Sequence, residues 1–159
     1  MSQVIVWIED RPDDVKHLIA EAKNNGYTVV TVAMPHRIRA DLEENQNNLA
    51  AIVVDVMLYG VHNLNTFGKH GIPTNMGLEA GWAIIEHYLR TSDSPYRDLP
   101  ILVLSTRKID TKQEALLETI QQKGGGTIEY IEKREHGWQK RFSNWLNKLN
   151  PTQIVSKEQ

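Results

Sequence analysis

Ala51-Ile52-Val53-Val54-Asp55 is an apolar run that ends at a carboxylate, and it decides the fold. A short run of mostly β-branched residues after the polar stretch 43–48 predicts a strand that is buried on both faces, as central strands of parallel sheets are. Such a strand delivers Asp55 to its carboxyl end, where open α/β sheets bind their ligands. An isolated aspartate at this position also commonly caps the next turn, so its role depends on its neighbours.

Three other short apolar runs also end at polar side chains. They are 4–8, followed by Glu9 and Asp10; 101–104, followed by Ser105 and Thr106; and 128–131, which ends just before Lys133. Because the carboxyl ends of parallel strands meet at one edge of a sheet, we expect the acids, the hydroxyl group and the amine to converge there.

Helical patterns alternate with these strands. A further strand is predicted at 27–33, and helices are predicted from Pro12 to the Asn24-Asn25-Gly26 stop, at 35–44, at 77–89, at 113–122 before the glycines 124–126, and around 138–149. Strands that alternate with helices over short connections favour a right-handed, doubly wound parallel sheet. We therefore predict an α/β fold with five strands.

The connection after Asp55 is unusually long. Residues 56–75 hold several Gly and Asn residues and show neither a helical nor a strand period. About twenty residues without regular structure are uncommon in a compact domain and usually form a functional or mobile loop. At 159 residues the chain is predicted to form one domain over 1–149, with a frayed polar tail over 150–159.

Composition excludes several classes of function. The net charge of −2 and a pI near 6.3 give no support for direct binding of nucleic acid. No apolar stretch is long enough for a membrane span and no secretory signal is present, so a cytoplasmic location without membrane contact is expected. The absence of cysteine excludes disulfides, thiolate metal sites and cysteine nucleophiles.

The ordered set of strand-end residues resembles the receiver domain of two-component response regulators, the chemotaxis-protein-like phosphoacceptor fold. The resemblance extends from Val4 to about Leu149 and implies a flavodoxin-like sheet of order 2-1-3-4-5 in three layers, α/β/α. The matching residues are the acid pair Glu9-Asp10, the phosphoacceptor Asp55, the glycine Gly77 that opens helix three, the switch hydroxyl Ser105, the switch aromatic Tyr130 and the lysine Lys133.

The resemblance implies a magnesium site and a phosphoryl-transfer site. Three crowded carboxylates call for a compensating cation, and Mg²⁺ prefers one or two carboxylates together with water and phosphate oxygens. In the implied site, Asp10 and Asp55 bind Mg²⁺ directly, Glu9 binds it through water, and Met57 binds it through the backbone carbonyl. Asp55 is the nucleophile, and Lys133 and Ser105 contact the phosphoryl group. Ser105 also acts with Tyr130 as a switch. No other cofactor is implied.

Several of these residues also have simpler interpretations. Lys133 alone could be a solvated charge, Tyr130 could be part of the core, and Ser105-Thr106 could cap the following helix. Three features depart from the family pattern: an insertion at about 59–76, which would act as a lid or a docking loop; Arg134, where proline is usual; and Thr106-Arg107, in place of a small residue.

The favoured function is a stand-alone receiver. It would accept a phosphoryl group on Asp55 from a histidine kinase or a histidine phosphotransfer protein and signal by binding an unknown downstream protein, without acting as a turnover enzyme. Whether two copies pair as a homodimer is left open. The alternative is a receiver-like interaction module that uses the insertion without phosphorylation. A Mg²⁺-dependent phosphatase-type enzyme is disfavoured because Val56 and Met57 supply no second acid.

Overall fold

A computed structural model describes residues 2–58, 63–64, 72–74 and 79–149 of the chain, and within them five parallel strands form one sheet. The strands within the described residues are β1 (Val4–Ile8), β2 (Thr28–Val32), β3 (Leu49–Asp55), β4 (Asn63–Leu64), β5 (Ile72–Pro73), β6 (Ile101–Ser105) and β7 (Ile128–Glu132). The order of the large sheet is β2-β1-β3-β6-β7. With β4 and β5 set aside, this is the predicted order 2-1-3-4-5, and the predicted fold is confirmed.

The helices fall where the sequence patterns place them. They are α1 (Lys16–Asn24), entered through a 3₁₀ turn at Pro12–Val15; α2 (Pro35–Asn45), followed by a 3₁₀ turn at Gln46–Asn48; α3 (Ala80–Ile84), continued by a π-helical segment at Ile85–Leu89; α4 (Thr111–Gln122); and α5 (Trp138–Lys148). Among the described residues, no helix is both long and apolar enough to cross a membrane.

The sheet has an apolar layer on each face because both faces of its three central strands, β1, β3 and β6, are buried. Along β1, Ile5 and Trp7 pack with residues of α1 and α5, whereas Val4, Val6 and Ile8 pack with residues of α2, α3 and α4. All five residues of β1 are buried. The alternation gives the three-layer α/β/α arrangement and explains why the strand runs are apolar throughout.

The long connection after β3 contains some regular structure, which the sequence did not predict. β4 and β5 form an antiparallel pair, with Leu64 opposite Ile72, and both strands contact α3. Ala80 to Ile85 are consecutively buried, as expected of a helix covered on more than one side. The other residues of the predicted insertion (59–62, 65–71 and 75–76), together with Gly77, Leu78 and the tail 150–159, lie outside the described residues.

A buried arginine that follows the π-helical segment after α3 binds the loop that leads into β6. Arg90 is 7% exposed, and its guanidinium donates to the carbonyl oxygens of Tyr96 at 2.8 Å and Leu99 at 2.5 Å. Burial lowers the pKa of Arg90 to about 10. These bonds fix the loop that leads into β6 at the amino edge of the sheet, away from the strand ends that carry the polar residues.

The cap of α4 is a capping box. Asp110 accepts from the backbone N–H of Gln113 at 2.7 Å, and the Gln113 side chain accepts from the backbone N–H of Asp110 at 3.3 Å. The suggestion that Ser105-Thr106 caps this helix is therefore wrong, because the helix begins only at Thr111.

Gly81 is the point at which α3 touches β3. A Cβ atom at this residue would lie 2.3 Å from the Asp55 carbonyl oxygen, and the Gly81 N–H donates to the Val56 carbonyl at 3.0 Å. The helix approaches the strand end this closely only because residue 81 has no side chain. The position of Asp55 therefore depends on a glycine inside a helix.

We predict that Gly81→Ala destabilises the protein by about 2 kcal/mol or more, because overpacking costs typically 1–3 kcal/mol. The sign of the change in unfolding free energy is informative, because replacing glycine by alanine inside a helix otherwise stabilises a protein by about 1 kcal/mol. Urea unfolding measures the change. As a control, Gly137→Ala has open space around its Cβ and a φ of 78°, so it should cost only about 1 kcal/mol. A gain in stability for Gly81→Ala would contradict the close contact.

Candidate functional site

Three carboxylates meet at the carboxyl edge of the sheet because β1 pairs with β3. In this register Ile8 lies opposite Val54, so the residues that follow, Glu9 and Asp55, become neighbours. Single ligand atoms of Glu9, Asp10 and Asp55 all lie within 4.8 Å of one another. The predicted convergence of the strand-end acids is therefore present in the structure.

The acids line a small polar cavity, which we call the acidic cavity. Its volume is about 160 Å³. Glu9 is 2% exposed and Asp55 is 8% exposed, so both carboxylates are largely removed from solvent. The described residues that line the acidic cavity are Glu9, Asp10, Arg11, Asp14, Asp55, Met57, Thr106 and Lys133.

Backbone amides hold the two buried carboxylates in place. The N–H of Arg11 donates to Glu9 Oε1 at 3.1 Å, and the N–H of Met57 donates to Asp55 Oδ1 at 3.1 Å. Glu9 Oε2 is buried and has no hydrogen-bond partner in the described part of the chain. A buried carboxylate oxygen without a donor is costly, and a bound cation would remove that cost.

Burial and mutual repulsion disturb the titration of the acids. Burial, together with the Asp55 carboxylate beside it, raises the pKa of Glu9 to about 9, while Lys133 acts in the opposite direction. Burial also raises the pKa of Asp55, against the lowering effects of Glu9, Lys133 and the Met57 N–H. The Lys133 ammonium alone therefore does not neutralise the negative charge that the ionised carboxylates would place in the acidic cavity.

Lys133 supplies the ammonium group that borders the acids. Its Nζ atom lies 4.0 Å from Glu9 Oε2, and its side chain is 13% exposed. The N–H of Lys133 donates to the Ser105 carbonyl at 2.7 Å, which ties the end of β7 to the end of β6. The interpretation of Lys133 as a fully solvated charge is therefore wrong.

The two hydroxyl residues after β6 have different surroundings. Ser105 is 1% exposed, and its Oγ accepts from the N–H of Arg107 at 3.0 Å. Ser105 lines a neighbouring cavity of about 180 Å³ rather than the acidic cavity. Thr106 is exposed and lines the acidic cavity.

Tyr130 lies on the far side of Ser105 from the acids. Its hydroxyl donates to the carbonyl oxygen of Arg107, and its ring stacks on Trp82 with centroids 6.1 Å apart and planes 8° apart. Burial raises the pKa of Tyr130, and an interaction with Ser105 partly opposes the shift. The ring is half-buried, so Tyr130 belongs neither to the core proper nor to the free surface.

Sequence reasoning missed three residues around the site. The sequence patterns predict Thr106 as a helix cap or as a departure from the family, whereas the structure places it in the wall of the acidic cavity, as its position directly after a strand end indicates. Gly77 was chosen as the important glycine and lies outside the described residues, whereas Gly81 packs against the Asp55 backbone. Trp82 stacks on Tyr130, and no local sequence signal predicts this contact.

Comparison with solved structures agrees with the fold. The chemotaxis response regulator CheY4 of Vibrio cholerae superposes with a TM-score of 0.59 at 15% identity, covering 94% of this chain and 99% of that chain. A response regulator from Desulfuromonas acetoxidans gives 0.57 at 11% identity, covering 92% and 95%. A CheY-like receiver domain protein from Methanospirillum hungatei gives 0.54 at 11% identity, covering 94% and 98%. The chain has the fold of response regulator receiver domains.

The sequence comparisons are negative. No family model matches the chain, and no curated protein matches it significantly in sequence.

We predict that Glu9→Gln stabilises the metal-free protein, and increasingly so as the pH rises. The folded-state pKa of Glu9, about 9, lies above its ordinary value of 4.5, so the folded state binds this proton more tightly than the unfolded chain does. The unfolding free energy of the wild type therefore falls between these pH values, by at most ~1.4 kcal/mol per pH unit, and glutamine removes that loss.

Denaturant unfolding in a chelator, at several values from about pH 5 to pH 8, measures the difference. Glu118→Gln is the control, since Glu118 is exposed on α4 and should leave the pH dependence unchanged. A difference between Glu9→Gln and wild type that does not grow with pH would contradict the assignment.

Proposed function

We propose that this chain is a receiver that accepts a phosphoryl group on Asp55 and signals by binding a partner protein. The observation that carries the proposal is the enclosure of three carboxylates and one ammonium group in a cavity at the carboxyl edge of a receiver-type sheet. The donor would be the phosphohistidine of a histidine kinase or of a histidine phosphotransfer protein. The chain would act in the cytoplasm and would not be a turnover enzyme.

The donor set of the acidic cavity suits a hard divalent cation. Asp10, Asp55, Glu9 and the backbone carbonyl of Met57 would hold Mg²⁺, whose preferred ligands are oxygens. The unsatisfied Glu9 Oε2 and the raised pKa values of Glu9 and Asp55 are what a site built for a positive charge would show without that charge. When bound, Mg²⁺ would neutralise the carboxylates and the charge on the incoming phosphoryl group.

Asp55 is the proposed nucleophile. One carboxylate oxygen attacks the phosphorus atom, so that an O–P bond forms while the P–N bond to the donor imidazole breaks, and the imidazole takes a proton from solvent as it leaves. The N–H of Met57 holds Asp55 Oδ1, and the other carboxylate oxygen is the proposed attacking atom. Phosphoryl transfer depends mainly on in-line positioning and on charge neutralisation, and the Lys133 ammonium contributes to the latter.

Ser105 and Tyr130 are the proposed response elements. Ser105 Oγ accepts from the Arg107 N–H, and its own O–H, which here interacts with Tyr130, would turn to donate to a phosphoryl oxygen. A shift of Ser105 toward the acidic cavity would draw Arg107 with it, and Tyr130 is bonded to the Arg107 carbonyl. A local charge change would thereby act on a distant aromatic side chain.

The first test is intact mass after incubation with acetyl phosphate and Mg²⁺. The wild type is expected to gain one phosphoryl group, and Asp55→Asn is expected to gain none. Lys133→Ala should react more slowly, by about 10-fold or more, if its ammonium balances phosphoryl charge.

A wild type that gains no mass would contradict the proposal and would favour the phosphorylation-independent interaction module. A gain in both wild type and Asp55→Asn would place the acceptor elsewhere.

A second prediction concerns the metal. Mg²⁺ at about 100 times its dissociation constant should stabilise the folded protein by about 3 kcal/mol, because it binds the folded state alone. Thermal unfolding with and without Mg²⁺ measures this. Asp10→Asn should lose most of the effect, whereas Asp93→Asn, an exposed carboxylate that does not line the acidic cavity, should keep it. Equal stabilisation of both variants would contradict the proposed ligands.

A further inference from the structure

A second cavity, separate from the acidic one, lies between α3 with its π-helical segment and α4. Its volume is about 440 Å³, and none of its lining residues is shared with the acidic cavity. We call it the α3–α4 groove; the lining residues used below are Glu79, Trp82, Ala83, Glu86, Lys112 and Leu116.

The floor of the groove is apolar. Trp82 and Ala83 come from α3, and Leu116 reaches the groove from α4, where it is only half-buried. Within the described part of the chain, α4 contributes a single fully buried residue, Ile120, to the core. Leu116 packs against the core on one side and borders the groove on the other, where part of its side chain stays exposed. An apolar groove with polar rims is typical of an interaction site.

The rims of the groove carry a net negative charge. Glu79, at the N-cap of α3, and Glu86, in the π-helical segment, stand on either side of Trp82 and Ala83 along the chain, and all four residues line the groove. Glu114 and Glu118 are exposed on the neighbouring helix. Lys112 is the cation of the rim, and His87 lies 3.0 Å from Glu86, where it is charged only when protonated.

We propose that the α3–α4 groove binds a basic amphipathic helix of a partner protein. Its apolar side chains would enter the groove between Trp82 and Leu116, and its lysine or arginine side chains would face Glu79 and Glu86. Two helices with an apolar floor between charged rims form the geometry that helix-in-groove recognition uses. Charge complementarity selects a basic partner over an acidic one. The surface identifies the kind of partner that the function proposed above requires.

A continuous series of contacts joins the α3–α4 groove to the acidic cavity. Trp82 lines the groove and stacks on Tyr130, and Tyr130 donates to the Arg107 carbonyl. The Arg107 N–H donates to Ser105, and the next residue, Thr106, lines the acidic cavity. A partner that moves Trp82 therefore acts on the phosphoacceptor edge. By thermodynamic reciprocity, a ligand at that edge changes the affinity of the groove.

The indole N–H of Trp82 gives a direct readout. Trp82 is 2% exposed, and its Nε1 makes no hydrogen bond to any described residue, so its NMR signal should respond to a new neighbour. Trp82→Phe assigns this signal among the four tryptophans. The probe is a synthetic helix of about five turns, with leucine on one face and lysine on the other.

We expect the lysine peptide to shift the Trp82 signal in a saturable manner. The same peptide with glutamate in place of lysine should not. The double variant Glu79→Gln/Glu86→Gln should bind about 10-fold more weakly or worse. Its control, Glu44→Gln/Asp93→Asn, removes the same charge from exposed residues that do not line the groove and should bind as the wild type does.

No shift of the Trp82 signal, equal binding of the two peptides, or equal loss in both double variants would overturn the proposal. Coupling is tested by repeating the titration with Mg²⁺ and beryllium fluoride, a phosphoryl mimic. The affinity should change in the wild type and not in Asp55→Asn. Binding that is retained in Asp55→Asn without the mimic would support the groove even if acetyl phosphate failed to modify Asp55, so the two proposals can fail separately.

Discussion

The register between β1 and β3 is the constraint on which the site depends. Both strands are buried on both faces, so a slip of one residue would move every side chain of a strand to the opposite layer of the core. Packing therefore fixes the pairing of Ile8 with Val54, and this pairing brings Glu9 beside Asp55. The core sets the distance between carboxylates that electrostatics alone would separate. Burial raises the pKa of both acids, and the Asp55 carboxylate adds to the rise for Glu9.

Much of the fold follows from the sequence because its strands are unambiguous. Runs such as 51–54 and 101–104 are too short and too apolar to be surface helices, and each ends at a polar residue that marks the carboxyl edge. Glu9, Asp10, Asp55 and Lys133 could be placed together from this logic alone, and the structure does bring them to one cavity. Met57, which only the family resemblance implies, lines the same cavity. Their roles in phosphoryl transfer remain predictions.

Other features depend on three-dimensional relations that no local pattern records. Gly81 is unfavourable by helix propensity, and its purpose becomes visible only when α3 is placed against the Asp55 carbonyl. The parallel stacking of Trp82 on Tyr130 joins residues from different elements, 48 positions apart in the sequence. The β4–β5 pair consists of two residues on each side, which is too short for a strand period to be detected.

The anchoring of the amino edge of the sheet by Arg90 gives the molecule a mechanical asymmetry. Its guanidinium clamps two carbonyls of the loop into β6, so the strand is held firmly at the end remote from the acids. Under the function proposed above, a displacement beside Asp55 would start at the free end of a strand whose other end is anchored. Such a displacement would be directed toward the loop after β6 and the aromatic pair of Trp82 and Tyr130.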